Sequence, residues 1–498
     1  MRIAIVALAA LAGFLLIIND SWNATPDSAL YLALGESMAK GNGYVFNGEP
    51  HTFVPPGYPL LVAAAARLGG PSFLSYRLMM VVAGIVTAIL GYALVARLVG
   101  PNAGFFAGAL FLVNHTLLEN CTVTLSDVPF SLFALLALNA LVSATKAPTP
   151  YFWIAAAGIV IGLLPLFRVN GLGVAPPVAL FLFLYFRNRR LGSRLFQAAL
   201  LLALACIPAI MWAYVKSTFP QSTAEGSYLY QMTERGLLRN LGVMAEAAWG
   251  YFSEMSYALS GLSLKTGVLE TLFPCVAAVG AATALRNGDR LLVPVIAVQF
   301  CGLLLSTAGS RYLIFMIPAL YLFLGLGVIA VVRYCSARLP RCPSPRAVLS
   351  VLFVFIAVCN VGHNVKTVYA ARTAVRESGA ESERSVPFFR SAQWLKANAA
   401  DSVVLTNRSR IIHYLSGCRV VPLLRSGVPE AEMWVDSPAL IESLVERTRP
   451  DFLFADTKDH RLFPVVTDTL NAMGLILEEI PEASTPPRFL TYKIARAM

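Results

Sequence analysis

The chain has 498 residues, of which 57% are hydrophobic and only 13% are charged, and its mean hydropathy is +0.65. Soluble globular domains carry about 25% charged residues, so this composition excludes an ordinary soluble protein and predicts several membrane-spanning helices. The formal net charge of +11 does not indicate a nucleic-acid partner, because the basic residues are concentrated in short segments between apolar runs. That arrangement is typical of the cytoplasmic loops of an integral membrane protein.

Eleven transmembrane helices are predicted, since a helix needs about 20 apolar residues to cross a bilayer. The first apolar run resembles a signal peptide but lacks a small-residue cleavage site, so it is predicted to be an uncleaved span. The predicted spans are 3–18, 73–96, 102–117, 128–145, 151–166, 172–186, 194–215, 267–285, 291–307, 311–332 and 347–364. Basic residues accumulate in alternate loops, which orients the N-terminus toward the cytoplasm and, with an odd number of spans, the C-terminal region outside.

Three of the predicted external segments are large. The first, residues 19–72, contains two short helices predicted to lie in the membrane interface, PDSALYLALGESMAKG and PPGYPLLVAAAARLGG. The second spans residues 216–266, and the third alternates predicted strands and helices from Val386 onward, which indicates a small α/β domain. The predicted domains are a transmembrane domain over 1–364, a linker over 365–385 and an external α/β domain over 386–498.

Three acidic residues are predicted at the external boundary of the membrane. Asp27 follows Pro26 at the start of the first interfacial helix, Glu119 closes the third span and Asp127 opens the fourth. Helix capping explains Asp27 and Asp127 without any further role, because a carboxylate is favoured at the positive end of the helix dipole. The alternative is a functional role, since acids at a membrane boundary are costly unless they are solvated or paired.

Basic residues are sparse on the external face, and three of them are candidates for binding a phosphate. Arg168 follows the fifth span, Arg311 stands where the ninth span turns into the tenth, and Lys265 precedes the eighth. Arginine suits this task because its guanidinium group can bind a phosphate through two parallel hydrogen bonds. The alternative for each residue is a long side chain that reaches from an apolar segment to the interface.

Further polar side chains on this face are candidates for substrate binding, namely Tyr31, His51, Tyr58 and Tyr312. The simpler interpretation makes Tyr31 and Tyr58 interfacial anchors and His51 a polar loop residue.

A divalent metal is a further candidate ligand, because His115 and Glu119 stand close together in the sequence and both residue types bind such ions. Their spacing matches no established metal motif. The sequence also contains no Walker motif, no G-x-S-x-G and no zinc signature, which disfavours nucleotide-driven chemistry.

Four stretches resemble the GT-C superfamily of polytopic glycosyltransferases. They are PDSALYLALGESMAKGNGYV, FVPPGYPLLVAAAARLGG, TLSDVPFSLF and GSRYLIFMIPALYLFLGLG. The chain most resembles bacterial members related to dolichyl-phosphate-mannose protein mannosyltransferases and lipid A aminoarabinose transferases. The resemblance implies a GT-C fold and an enzyme that transfers a hexose or pentose from a polyprenyl-phosphate sugar to a lipid, glycan or protein acceptor.

The resemblance also implies roles for individual residues. Asp27 corresponds to the proposed catalytic base, Asp127 to the acid of the second external loop, and Arg311 to an arginine near the lipid phosphate. The implied reaction inverts the anomeric carbon. One departure weakens an assignment to lipid A modification: Phe53 and Val54 stand where aminoarabinose transferases have an acidic–basic pair.

The implied location is the bacterial inner membrane, with the active site and the C-terminal domain on the extracytoplasmic side. The alternative function is a transporter or flippase of lipid-linked sugars. Transporters tend to show internal repeats and broken spans with polar residues at mid-membrane. The sequence shows neither, and its acidic residues cluster at the external boundary.

Overall fold

The structure is a computed structural model that describes residues 11–218, 237–262, 268–304, 308–338, 343–378, 386–423, 437–456, 462–484 and 489–496. Its helices are α1 (Pro26–Ala39), α2 (Gly57–Gly69), α3 (Phe73–Val99), α4 (Pro101–Leu112), α5 (His115–Asn120), α6 (Asp127–Lys146), α7 (Tyr151–Phe167), α8 (Ala175–Tyr185), α9 (Leu191–Thr218), α10 (Leu237–Ser260), α11 (Val268–Arg286), α12 (Leu292–Leu303), α13 (Ile317–Ser336), α14 (Pro345–Ser378), α15 (Val386–Asn398), α16 (Ser409–Ser416), α17 (Pro438–Thr448) and α18 (Leu462–Ala472). Its strands are β1 (Val45–Phe46), β2 (Glu49–Pro50), β3 (Val403–Thr406), β4 (Arg419–Pro422), β5 (Phe452–Asp456), β6 (Leu475–Glu479) and β7 (Phe489–Arg496).

Internal contacts divide the chain into two compact units. Of the described residues, unit 1 contains those up to Ile18 together with Arg77–Lys216 and Leu237–Arg372. Unit 2 contains Asn19–Tyr76, residues 217–218 and the residues after Arg372. The first external loop, predicted from the sequence as part of the transmembrane domain, therefore packs in one unit with the C-terminal residues.

Unit 1 consists of helices, many of them strongly apolar. Within the described residues, five helices of the chain are both long and apolar enough to cross a bilayer: Phe73–Val99, Asp127–Lys146, Leu191–Thr218, Ile317–Ser336 and Pro345–Thr373. Shorter apolar helices include α7 and α12. An integral membrane protein is thereby supported, and the number of eleven spans stays a prediction.

Three predicted spans differ in the structure. The span predicted over 347–364 continues as α14 to Ser378, through most of the predicted linker. The span predicted over 102–117 is interrupted after Leu112, because Asn114 turns out of helical geometry and its side chain caps α5 by accepting a hydrogen bond from the Leu117 N–H. The span predicted from residue 311 begins instead at Ile317, preceded by a 3₁₀ turn over Ser310–Leu313. Arg311 consequently lies in a separate turn ahead of the helix.

Close helix packing in unit 1 depends on glycine. A Cβ atom added at Gly280 of α11 would lie 1.7 Å from the carbonyl oxygen of Phe323 on α13. A Cβ atom at Gly327 of α13 would lie 1.9 Å from the carbonyl oxygen of Val276 on α11. The two backbones therefore touch through small residues, as is common between membrane helices.

Unit 2 contains a five-stranded sheet in the order β4-β3-β5-β7-β6. Strand β3 pairs in parallel with β4 and β5, whereas β7 pairs antiparallel with β5 and β6. All helices and strands predicted after residue 386 are present, and β4 is an additional edge strand that the sequence did not suggest. Its four residues end in Pro422, and proline in a sheet is confined to edges.

The same unit holds α1, α2 and the short hairpin of β1 and β2. The predicted helices of the first external loop are both present. They pack so closely that a Cβ atom added at Gly35 of α1 would lie 2.4 Å from the Val62 side chain of α2. Trp22 joins them to the C-terminal residues: its ring stacks on Phe73 at 5.4 Å and meets the edge of Tyr414 at 5.2 Å. This buried aromatic cluster explains why residues from both ends of the chain form one unit.

Candidate functional site

Asp27 lies in the first turn of α1, but its neighbours provide the helix cap. The Thr25 hydroxyl accepts a hydrogen bond from the Ser28 N–H at 3.1 Å, and the Ser28 hydroxyl accepts one from the Thr25 N–H at 3.0 Å. The Asp27 carboxylate instead accepts a hydrogen bond from Arg410 Nη1 of α16 at 2.9 Å, and its side chain is 50% exposed. The Asp27 side chain therefore pairs with Arg410, while Thr25 and Ser28 cap the helix.

The start of α1 is also fixed from outside the helix. The indole N–H of Trp22 donates to the Ser28 hydroxyl at 3.1 Å, and Trp22 itself is buried. The backbone on both sides of Asp27 is thus held by hydrogen bonds, which places its half-exposed carboxylate on a rigid base.

Tyr31 and Tyr58 contact each other in unit 2. Their rings meet edge to face at 4.9 Å, with Tyr58 fully buried. Tyr31 stands four residues after Asp27 and so follows it on the same helical face. The pair holds α1 against α2, and Tyr31 is the member that keeps an accessible side chain.

His51 is buried inside the first external loop. Its Nε2 atom accepts a hydrogen bond from the Val54 N–H at 3.2 Å, and the Tyr44 hydroxyl donates to the Val54 carbonyl at 2.9 Å. His51 therefore stabilises the fold of this loop, and its role in substrate binding stays a prediction.

Asp127 and Arg168 form an ion pair in unit 1. Asp127 lies in the first turn of α6 with its side chain only 4% exposed, and Arg168 follows the last residue of α7. The chain then turns tightly, since a Cβ atom at Gly171 would lie 2.6 Å from the backbone of Leu164. The structure thus pairs two residues that the sequence could only place on the same membrane face.

Tyr312 brings Arg168 and Arg311 together. The Arg168 guanidinium lies over the Tyr312 ring, 4.3 Å from its centroid, and Arg311 Nη2 donates to the Tyr312 hydroxyl at 2.8 Å. The turn that carries Arg311 is fixed by Glu254 of α10, which accepts a hydrogen bond from the Ser310 N–H at 2.6 Å. Two guanidinium groups held at one tyrosine form an arrangement suited to binding a phosphate.

Glu119 and His115 each contact a different partner in the structure. His115 is fully buried with its Nδ1 atom 2.8 Å from Asn360 Oδ1. Glu119 lies instead near His363, with 3.8 Å between Oε2 and Nε2, and the Tyr257 hydroxyl lies 3.3 Å from the same His363 nitrogen. Across the described ranges, no group of three or more His, Cys, Asp or Glu side chains is arranged to hold a metal ion.

Three residues with a place in these clusters were missed by sequence reasoning. Arg410 contacts Asp27, Glu254 supports the Arg311 turn, and His363 contacts Glu119. Each acts on a partner far away in the sequence, so no local pattern could reveal it. Lys265, the remaining candidate, lies outside the described residues.

Comparison with known proteins gives one family match. A family model described as dolichyl-phosphate-mannose-protein mannosyltransferase matches residues 53–212, which include Asp127 and Arg168 and begin after Asp27. No curated protein sequence matches the chain.

Solved structures share the fold at low sequence identity. ArnT from Cupriavidus metallidurans in the apo state has a TM-score of 0.63 and 14% identity, with 99% of this chain and 97% of that chain covered. The same protein bound to undecaprenyl phosphate has a TM-score of 0.61 and 14% identity, with 99% and 98% covered. The archaeal oligosaccharyltransferase AglB from Archaeoglobus fulgidus, in complex with an inhibitory peptide and a dolichol-phosphate, has a TM-score of 0.58 and 12% identity, with 99% and 74% covered. The chain therefore shares its fold with these solved structures, and the family model supports the predicted resemblance over residues 53–212.

Proposed function

We propose that this chain is an integral membrane glycosyltransferase of the GT-C type, which moves a sugar from a polyprenyl-phosphate donor to a hydroxyl group of an acceptor. The observation that carries the proposal is the convergence of Arg168 and Arg311 on Tyr312. It gains support from the fold shared with ArnT, whose structure holds undecaprenyl phosphate, and with AglB, whose structure holds a dolichol-phosphate.

The lipid phosphate is the leaving group in this reaction, and unit 1 supplies the charges for it. As the bond between the anomeric carbon and the phosphate oxygen breaks, negative charge grows on the phosphate. Arg168 and Arg311 stabilise that charge, because preorganised donors are most effective where charge develops in the transition state. Asp127 acts on Arg168 as a positioning residue, since its buried carboxylate already contacts that guanidinium.

Asp27 is the proposed general base. It accepts the proton of the acceptor hydroxyl while the hydroxyl oxygen forms the new bond to the anomeric carbon, which inverts that centre. Its half-exposed side chain and its fixed helix start support this role. Tyr31, on the same helical face, is a candidate for contact with the substrate. The site is proposed to face the extracytoplasmic side of a bacterial inner membrane, with a lipid, glycan or protein as acceptor.

The test is sugar transfer by the purified full chain in lipid nanodiscs. A panel of polyprenyl-phosphate hexoses and pentoses is supplied with candidate acceptors, and products are identified by mass spectrometry. We expect at least one donor to be consumed and Asp27→Asn to abolish its consumption. Asp289→Asn is the matched control, because Asp289 caps the turn before α12 through the Leu291 and Leu292 N–H groups and asparagine caps equally well. Wild-type turnover by Asp27→Asn would refute the assignment of the base.

The same preparation distinguishes transfer from transport. In liposomes that contain the donor, a flippase moves intact donor between leaflets and forms no product. Movement of intact donor with no product from any acceptor would favour the transport alternative.

A further inference from the structure

We propose that helix α16, near the C-terminal end of the chain, positions Asp27, with Arg410 as the residue that orients its carboxylate. This inference rests on the proposed role of Asp27 as the base. It gives the C-terminal residues a part in the reaction, because α16 contacts α1 and the β1–β2 hairpin at three separate points within unit 2.

The first contact is the ion pair between Arg410 and Asp27. Arg410 Nη1 donates to Asp27 Oδ1 at 2.9 Å, and the two side chains are 21% and 50% exposed. Ion pairs that remain accessible to water contribute little to folding stability. A charge-assisted hydrogen bond nevertheless selects one orientation of the carboxylate, so its main effect here is on the direction of the Asp27 side chain.

The second contact fixes the far end of α1. Tyr414 and Tyr76 each donate a hydroxyl hydrogen bond to the same Glu36 oxygen at 2.8 Å. Burial and the neighbouring Glu36 carboxylate raise the pKa of Tyr414 well above its ordinary value, so Tyr414 remains a donor at any physiological pH. The Tyr414 ring also packs on Trp22, which holds Ser28 beside Asp27.

The third contact holds the hairpin against α16 and β4. The Asn47 N–H donates to His413 Nε2 at 3.1 Å, while His413 Nδ1 donates to the Cys418 carbonyl at 2.8 Å. The Asn47 side chain bonds both backbone groups of Val420, accepting from its N–H at 3.0 Å and donating to its carbonyl at 2.9 Å. Asn47 thus occupies the open edge of β4 in the way that another strand would.

The three side chains share one face of α16. Positions 410, 413 and 414 are three and four residues apart, so they project in similar directions. Their partners are the first turn of α1, the hairpin and the last part of α1. Contacts near both ends of α1 hinder its rotation or sliding relative to α16, and the third contact fixes the neighbouring hairpin, which together give the geometric control that a general base requires.

A second arginine in the same segment serves as a matched control. Arg408 also pairs with an aspartate, since its Nη2 lies 2.7 Å from Asp456 Oδ2. Asp456 belongs to β5 and its side chain is fully buried. Breaking this pair leaves a buried charge, which destabilises the fold, and both of its residues lie in the C-terminal part of the chain and not in the first external loop. The two arginines should therefore separate an effect on catalysis from an effect on stability.

The experiment compares Arg410→Gln, Arg410→Lys and Arg408→Gln in the full chain, using the transfer assay and thermal unfolding. We expect Arg410→Gln to lower kcat on the order of tenfold to a hundredfold, as small misplacements of a catalytic group do, with an unchanged KM and an unchanged Tm. Arg410→Lys should recover part of the loss, since an ammonium donor can replace the hydrogen bond from Nη1 to the Asp27 carboxylate. Arg408→Gln should lower Tm and leave the kcat of the folded fraction unchanged.

Hydrogen exchange supplies a readout that is independent of activity. In Arg410→Gln/Tyr414→Phe, the amides of α1 should exchange faster, while those of α6 in unit 1 keep their protection. Unchanged exchange in α1, or an Arg410→Gln enzyme with wild-type kcat beside an inactive Asp27→Asn, would overturn the positioning role. Activity in Asp27→Asn would instead overturn the proposed base, and the exchange measurement would still decide whether α16 holds α1.

Discussion

The buried ion pair of unit 1 allows the most quantitative test of the phosphate site. Asp127 is 4% exposed and Arg168 is 23% exposed, so Arg168→Gln leaves a buried carboxylate without its countercharge. Breaking a buried pair from one side costs about 3–5 kcal/mol. Asp127→Asn should cost less, because water reaches part of the remaining guanidinium. The variant Asp127→Asn/Arg168→Gln leaves no buried charge and should recover most of the stability lost by Arg168→Gln.

The measurement is a double-mutant cycle in detergent micelles. Unfolding of wild type, both single variants and the double variant is followed by tryptophan fluorescence, which gives four free energies of unfolding. Residues in contact show coupling of about 0.5–3 kcal/mol, and we expect this pair to lie at the upper end of that range. Stability losses that add within about 0.5 kcal/mol would refute the pair as described. The double variant should also be folded but poor at using donor, because it lacks one of the two guanidinium groups.

Three further outcomes are expected. Tyr312→Leu should raise KM for the donor more than Tyr312→Phe, because phenylalanine keeps the aromatic ring beneath the Arg168 guanidinium. Such a cation–π contact contributes about 0.5–2 kcal/mol. Equal KM values of the two variants in a transfer assay would contradict this prediction. Gly280→Leu should prevent folding, as judged by size-exclusion chromatography, whereas Gly302→Ala should not, since a Cβ atom there meets nothing within 4 Å. Burial lowers the pKa of His413 from its ordinary value of 6.5, so the unfolded chain binds the proton more readily. The stability of unit 2 should therefore fall as pH drops below 6.5. His413→Gln should weaken that pH dependence, as measured by thermal unfolding at pH 7.5 and at pH 5. An unchanged pH dependence would contradict the role of neutral His413 as the acceptor of the Asn47 N–H.

The local elements of the chain were largely predictable from its sequence. Helix α1 was indicated by Pro26 in its first turn, and the final strands by their β-branched and aromatic residues. Strand β4 was missed because four residues that end in proline carry too little pattern, and its pairing with β3 depends on a partner elsewhere in the chain. The break at Asn114 was missed because apolar composition continues across it.

The contacts of the candidate site were much less predictable. The sequence placed Asp127 and Arg168 on one membrane face but could not pair them, because they are 41 residues apart in the chain. The partners Arg410 and Asp27 are 383 residues apart, so only the folded chain brings them together. The local pattern of apolar and charged residues predicts on which side of the membrane a residue lies. Ion pairs such as these two depend instead on packing between segments that are distant in the sequence.

Asp27 and Asp127 show how burial separates two residues that look alike in sequence. Both stand in the first turn of a helix and close to a proline: Asp27 follows one directly, and Asp127 stands two residues before one. From the sequence, helix capping was a sufficient explanation for both. The structure gives each a guanidinium partner, yet Asp127 is almost fully buried and Asp27 is half exposed. A carboxylate enclosed with its partner is poorly placed to meet an acceptor, which agrees with the proposed positioning role of Asp127 on Arg168. A carboxylate that is half exposed can meet an acceptor hydroxyl, and this difference in burial is the reason for proposing Asp27 and not Asp127 as the base.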